Sequence, residues 1–138
     1  MAMQVTSQTL AGKKKASREI WLRKHADYQR VYREGKRQSL PLMTFFFAPR
    51  VQSPPPPLLY DGPRIGLTAG KVLGNAVARN RIKRRMRAAV RAHCVVLAGG
   101  VDVILHPRKA VLEAEYSQIE REVVRAFRAA QSGLSSRR

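Results

Sequence analysis

Seven lysines and arginines fall between Arg79 and Arg91 in the stretch GNAVARNRIKRRMRAAVRAH, and no carboxylate stands among them. The chemistry open to such a set is phosphate binding, because a guanidinium stays charged and its planar fork donates two parallel hydrogen bonds to phosphate oxygens. An ordinary surface helix places acids three or four residues from its bases. Here Arg81 and Arg85, Lys83 and Arg87, and Arg87 and Arg91 are like pairs, each costing roughly 0.2–0.5 kcal/mol in an isolated helix. The pattern implies that a polyanion outside the chain supplies the missing charge.

Other reactive residue types are poorly placed for chemistry. His93 and Cys94 are adjacent, so on a helix they point about 100° apart. His25 and His106 have no metal-ligand spacing around them. With nine acids in the whole chain, and none between Gly62 and Val101, a two-metal carboxylate centre is hard to assemble. No catalytic residue is assigned, no metal ligand is identified, and Asp102 reads as structural.

The formal charge is +18, from 27 basic and 9 acidic residues in a chain of 138. Charge on this scale predicts polyanionic partners and salt-dependent binding. Nine of the cations lie between Gly62 and Val101, a localised patch of the kind nucleic acids select. The length suits one domain with one core. A single cysteine excludes an internal disulfide and fits a reducing compartment. No apolar run approaches the roughly 20 residues that span a bilayer. The expectation is a cytoplasmic protein with no membrane association and no evident protein partner.

The elements that would position the basic residues follow from local pattern. Residues 1–17 read as a basic, disordered tail. HADYQRVYREG predicts a short helix carrying Tyr28 and Tyr32 four residues apart and ending in a left-handed cap at Gly35. LPLMTFFFAP predicts a strand with Met43, Phe45 and Phe47 on its core face and Thr44 and Phe46 on the other. Residues 52–62 are a proline-rich loop, since consecutive prolines remove ladder donors. RIGLTAG and VDVIL predict two further strands. Between them Asn75 caps a helix running toward Gly99 and Gly100. YSQIEREVVRAFRAA predicts a last amphipathic helix with Ile119, Val123, Phe127 and Ala130 on one stripe, and residues 131–138 a frayed tail.

On the central helix, 100° per residue gathers Ile82, Met86, Ala89, Val90 and His93 on a core side. Asn80, Lys83, Arg84, Arg87 and Arg91 form a second, phosphate-binding side, with Arg81 and Arg85 flanking it. Asn80 adds a donor and an acceptor suited to a base edge or a sugar hydroxyl. Basic amphipathic helices also bind membranes or calmodulin, but this one lacks large apolar anchors and lies between strands. Composition does not choose RNA over DNA.

At these residues a family likeness emerges. RIGLTAGKVLGNAVARNRIKRRMR closely resembles the signature of the bacterial ribonuclease P protein family, with its Arg-Asn-Arg at Arg79, Asn80 and Arg81. DYQRVYREG and DVILHPRKA extend the likeness over residues 18–130. The resemblance implies a single α+β domain in the order αβββαβα with a left-handed βαβ crossover, similar to ribosomal-protein RNA-binding domains. That hand runs against the usual right-handed preference. It also implies the protein subunit of a ribonucleoprotein endonuclease that removes the 5′ leader from precursor tRNA, with hydrolysis performed by the RNA subunit using Mg²⁺.

By matching positions, the resemblance implies RNA-subunit contacts at Lys71, Arg79, Asn80, Arg81, Lys83, Arg84, Arg87 and Arg91. It implies leader contacts at Tyr28, Tyr32, Phe46 and Phe127, although Phe127 equally suits the core. Three departures stand out. The family often has Ser-Lys-Lys where this chain has Gly70, Lys71 and Val72; its proline-rich loop is long; and tyrosines replace phenylalanines in the first helix. Two alternatives stay open at this point: a structural RNA binder of ribosomal type, and a protein nuclease active without RNA.

Overall fold

A computed structural model describes residues 20–49, 62–97 and 100–135. The expected basic tail at 1–17 and most of the proline-rich loop at 52–62 lie outside them. The order is α1 (His25–Glu34), β1 (Lys36–Ser39), β2 (Met43–Pro49), β3 (Arg64–Leu67), α2 (Ala76–His93), β4 (Val101–Pro107) and α3 (Tyr116–Ser135), the αβββαβα arrangement that the resemblance implies. Four strands form one sheet in the order β1-β2-β4-β3, in which β3 and β4 are the parallel pair.

Strand alternation sends two sets of side chains to opposite faces. Met43, Phe45, Phe47, Ile65, Val103 and Leu105 face α2 and α3, where they join Ile82, Met86, Ala89, Val90, Ile119, Val123 and Phe127 in the main core. The other face carries Ala48 and Ile104, packed with Leu22 and Val31 under α1, with Tyr28 and Phe46 alongside. Helices therefore cover both faces, but the ten-residue α1 covers its face incompletely. The remainder of that face is free to serve as a binding surface.

Local chemistry explains most element boundaries. Asn75 caps α2 as its sequence predicts, its side chain accepting from the Ala78 amide at 2.9 Å. Gly35, in contrast, is not a left-handed cap: its φ is −84° and ψ 172°. Glycine is needed there for close approach, because a Cβ would lie 2.4 Å from the Val31 carbonyl oxygen and 2.5 Å from that of Phe47.

Three further departures have physical causes. β1 is absent from the hydrophobic pattern because all four of its residues are exposed; backbone pairing to β2 alone defines it. Its charged Lys36 and Arg37 suit an edge strand, which must resist pairing with other chains. α2 stops at His93, a 3₁₀ turn occupies Cys94–Val96, and the positive φ of 86° comes later, at Gly100. α3 continues past the expected end at residue 130 to Ser135. Gly133 permits that extension, since a Cβ there would meet the Phe47 ring at 2.5 Å.

Candidate nucleic-acid interface

The basic helix divides as its periodicity predicts. Ile82, Met86, Ala89 and Val90 are fully buried. Asn80, Arg81, Arg84, Arg87 and Arg91 are exposed, as is Lys71 just before the helix, while Lys83 and Arg79 are half-buried. His93, expected on the core side, sits at its margin and pairs with Glu120 of α3, Nε2 to Oε2 at 2.9 Å. The like charges of α2 are not relieved within the described residues: no ion pair joins Lys71, Arg79, Arg81, Lys83, Arg84, Arg87 or Arg91 to an acid there. Arg79 Nε is buried and has no hydrogen-bond partner among those residues. An unmatched buried donor costs stability, so such a group is best explained by an acceptor that binds from outside.

Two cations of the acid-free segment prove to be structural. Arg85 donates through Nη1 to the carbonyls of Val111, at 2.7 Å, and Leu112, at 3.0 Å, and through Nη2 to that of Ala114. It ties α2 to the 3₁₀ turn Lys109–Leu112 that leads into α3. Arg64 donates to both oxygens of Asp102, at 2.9 and 2.8 Å, and to Asp27 at 3.3 Å. Arg30 of α1 completes the cluster by binding Asp102 and the Pro49 carbonyl, the latter at 2.8 Å. Asp102 is wholly buried, and burial alone would lower the affinity of Arg64 for its proton; the hydrogen bonds and charge of Asp102 outweigh this and raise it. The cluster pins α1 across the sheet.

That anchoring sets the aromatic surface. Tyr28 lies on Gly66 of β3, where a Cβ would come within 2.8 Å of its ring, and its hydroxyl donates to the Leu22 carbonyl at 3.2 Å. One turn later Tyr32 meets Phe46 edge-on with centroids 5.0 Å apart, and meets His106 at 5.5 Å. Its hydroxyl and His106 Nε2 are hydrogen-bonded at 2.8 Å. Burial raises both tyrosine pKa values, with Tyr28 adding to the rise at Tyr32, so both are neutral phenols at ordinary pH. Burial first and Arg37 second lower that of His106, which favours neutral imidazole.

The aromatic surface continues into two basic grooves. One, of about 330 Å³, is lined by Phe46, His106 and Thr44 with Arg37, Arg108 and Lys109 at its sides. The other, of about 340 Å³, places Tyr28 and Trp21 beside Arg87 and Arg91, with the Arg91 guanidinium 6.0 Å from the Trp21 ring centre. The two residue sets read separately from sequence thus meet at Tyr28.

Phe127 corrects the fourth expected leader contact: it is wholly buried in the main core, on the opposite side of the sheet from Tyr28 and Tyr32. Its ring fills space between α3 and the strands and is closed to a ligand. Sequence reading also passed over Trp21, Arg37, His106 and Arg108. His106 carried one usable signal, its place on the same alternate face of a strand as Ile104.

The model of the family described as Ribonuclease P matches residues 16–131. The chain belongs to the ribonuclease P protein family. Among its relatives, the ribonuclease P protein component of Chloroflexus aggregans is 36% identical over 110 residues, spanning 79% of this chain and 76% of the relative. That of Brucella melitensis is also 36% identical over 110 residues, spanning 78% and 77%. The RNase P protein of Staphylococcus aureus superposes with a TM-score of 0.65 at 26% identity, covering 81% of this chain and 95% of the other. The family's fold is therefore the fold described above.

Proposed function

We propose that this protein is the RNA-binding subunit of a ribonuclease P, assisting a catalytic RNA in removing the 5′ leader of precursor tRNA. The observation that carries the proposal is the junction at Tyr28, where an unneutralised arginine helix meets an aromatic, cation-rimmed cleft in a member of this family. The exposed side of α2, with Lys71, Arg79, Asn80, Arg81, Lys83, Arg84, Arg87 and Arg91, docks on the RNA subunit through its phosphates. Tyr28, Tyr32 and Phe46 hold the single-stranded leader. Stacking on such rings is worth roughly 1–3 kcal/mol per base and tolerates any sequence.

Hydrolysis belongs to the RNA subunit and its Mg²⁺. Among the described residues no three His, Cys, Asp or Glu side chains converge to hold a metal ion. No step is therefore assigned to a protein-bound ion. The work of the chain is to neutralise phosphates, lowering the Mg²⁺ the complex requires, and to grip the leader, raising affinity for precursor over product. A purely structural RNA binder would share the first role but has no use for the second. The site of action is proposed to be the cytoplasm.

Cleavage of a precursor tRNA by a bacterial ribonuclease P RNA at low Mg²⁺, with the protein, without it, and with protein alone, tests the reading. Cleavage in the combined reaction is the expected result. Cleavage by protein alone would overturn it, and no stimulation of a cognate RNA by folded protein would favour the structural role.

A further inference from the structure

The leader cleft contains a polar group that stacking does not require. His106 lies in register with Thr44 on the face of the sheet that carries Phe46, and Arg37 lies in register with Phe46. Tyr32, Phe46 and His106 form a triangle of rings, with Phe46 and His106 centroids 5.1 Å apart. The Tyr32 hydroxyl holds Nε2. A neutral imidazole has one donor and one acceptor nitrogen. With Nε2 engaged, Nδ1 remains, on a residue lining a groove of about 330 Å³, large enough for one nucleotide.

We propose that His106, oriented by Tyr32, reads the edge of one splayed leader base and gives the otherwise sequence-tolerant cleft a base preference at a single leader position. The proposal rests on the leader-binding reading above. A ring face accepts every base, but a fixed nitrogen does not, because bases differ in the donors and acceptors along their edges. The surrounding groups divide the work: Arg37 from β1 and Arg108 and Lys109 beyond β4 flank the groove, where they suit phosphates, and Arg108 is further steadied by Thr44 Oγ1 at 3.2 Å. Tyr32 from α1 is the group that holds the imidazole. The His106–Tyr32 pair offers a donor and an acceptor together, and the direction of its internal hydrogen bond decides which atom is which. Recognition is therefore of a base edge bearing both functions.

The experiment uses holoenzyme reconstituted from the full chain and a cognate ribonuclease P RNA. It measures relative kcat/KM for precursor tRNAs that carry each of the four bases in turn at each leader position. The wild type should show a spread of about five- to tenfold at one position, the discrimination expected of one hydrogen bond. His106→Phe, which keeps a ring, should collapse that spread to under about twofold. His106→Gln should restore a spread with a different base order, which separates lost reading from lost folding. Tyr32→Phe should narrow the spread by releasing the imidazole. An unchanged spread in His106→Phe, or none in the wild type, would overturn the role of His106 while leaving leader binding intact. Equal affinity of the wild type for leader-bearing and leaderless RNA would instead overturn the cleft reading itself.

Discussion

Arg84 and Arg85 are neighbours in sequence, identical in type and equally basic, yet the structure assigns them different work. Arg84 is exposed, whereas Arg85 bonds three carbonyls of the turn before α3. Replacing Arg85 with Met keeps most of the aliphatic stem and removes all three bonds. Hydrogen bonds to a charged group contribute roughly 1.5–3 kcal/mol each, but these are not additive and the carbonyls can turn toward water, so the total is about 2–4 kcal/mol. For a domain of this size that lowers Tm by roughly 8–15 °C. Arg84→Ala should melt with the wild type and instead reduce the slope of log K against log salt for RNA-subunit binding by about 0.7–0.9, the loss of one phosphate contact. Thermal denaturation followed by circular dichroism, together with filter binding across a salt series, measures both quantities. An Arg85 variant that melts normally but loses salt slope as Arg84→Ala does would refute the division.

Other expectations test other parts of the site. Tyr28→Ala should weaken binding of leader-bearing precursor about tenfold while changing mature tRNA binding less than twofold, and equal weakening of both would remove Tyr28 from the leader contact. Asp102→Asn leaves Arg30 and Arg64 without their buried counter-charge and should cost about 3–5 kcal/mol in urea denaturation; a change under about 1 kcal/mol would show that the cluster does not hold α1. Because the folded His106 pKa lies below the ordinary value of 6.5, the unfolded chain binds the extra proton first as pH falls. The contribution of His106 is therefore fully present above about pH 6.5 and is lost as pH falls through the folded value, so His106→Phe should flatten that part of the stability–pH curve.

The division between what is legible locally and what is not follows particular residues. The core side of α2, the Asn75 cap and the burial of Met43, Phe45 and Phe47 were readable because helix and strand periodicities and caps are properties of a few consecutive residues. The basic patch was readable because an absence of acids needs no geometry. Phe127 was ambiguous because an apolar helical stripe does not say what lies against it, and here Phe47 and the sheet do. β1 was invisible because an edge strand held by its backbone needs no hydrophobic signature.

The deeper omissions are contacts between distant residues. The sequence by itself determined the family, the order of the elements and the face of α2 that carries positive charge. The tertiary structure alone decided that Arg64 and Arg85 are spent inside the fold, that Asp102 anchors α1, and that His106 meets Tyr32. The reason is chain separation: Arg30 and Asp102 are 72 residues apart and Tyr32 and His106 are 74 apart. No periodicity within one segment encodes which remote side chain will complete its hydrogen bonds, because that choice is made only when the sheet brings β4 beneath α1.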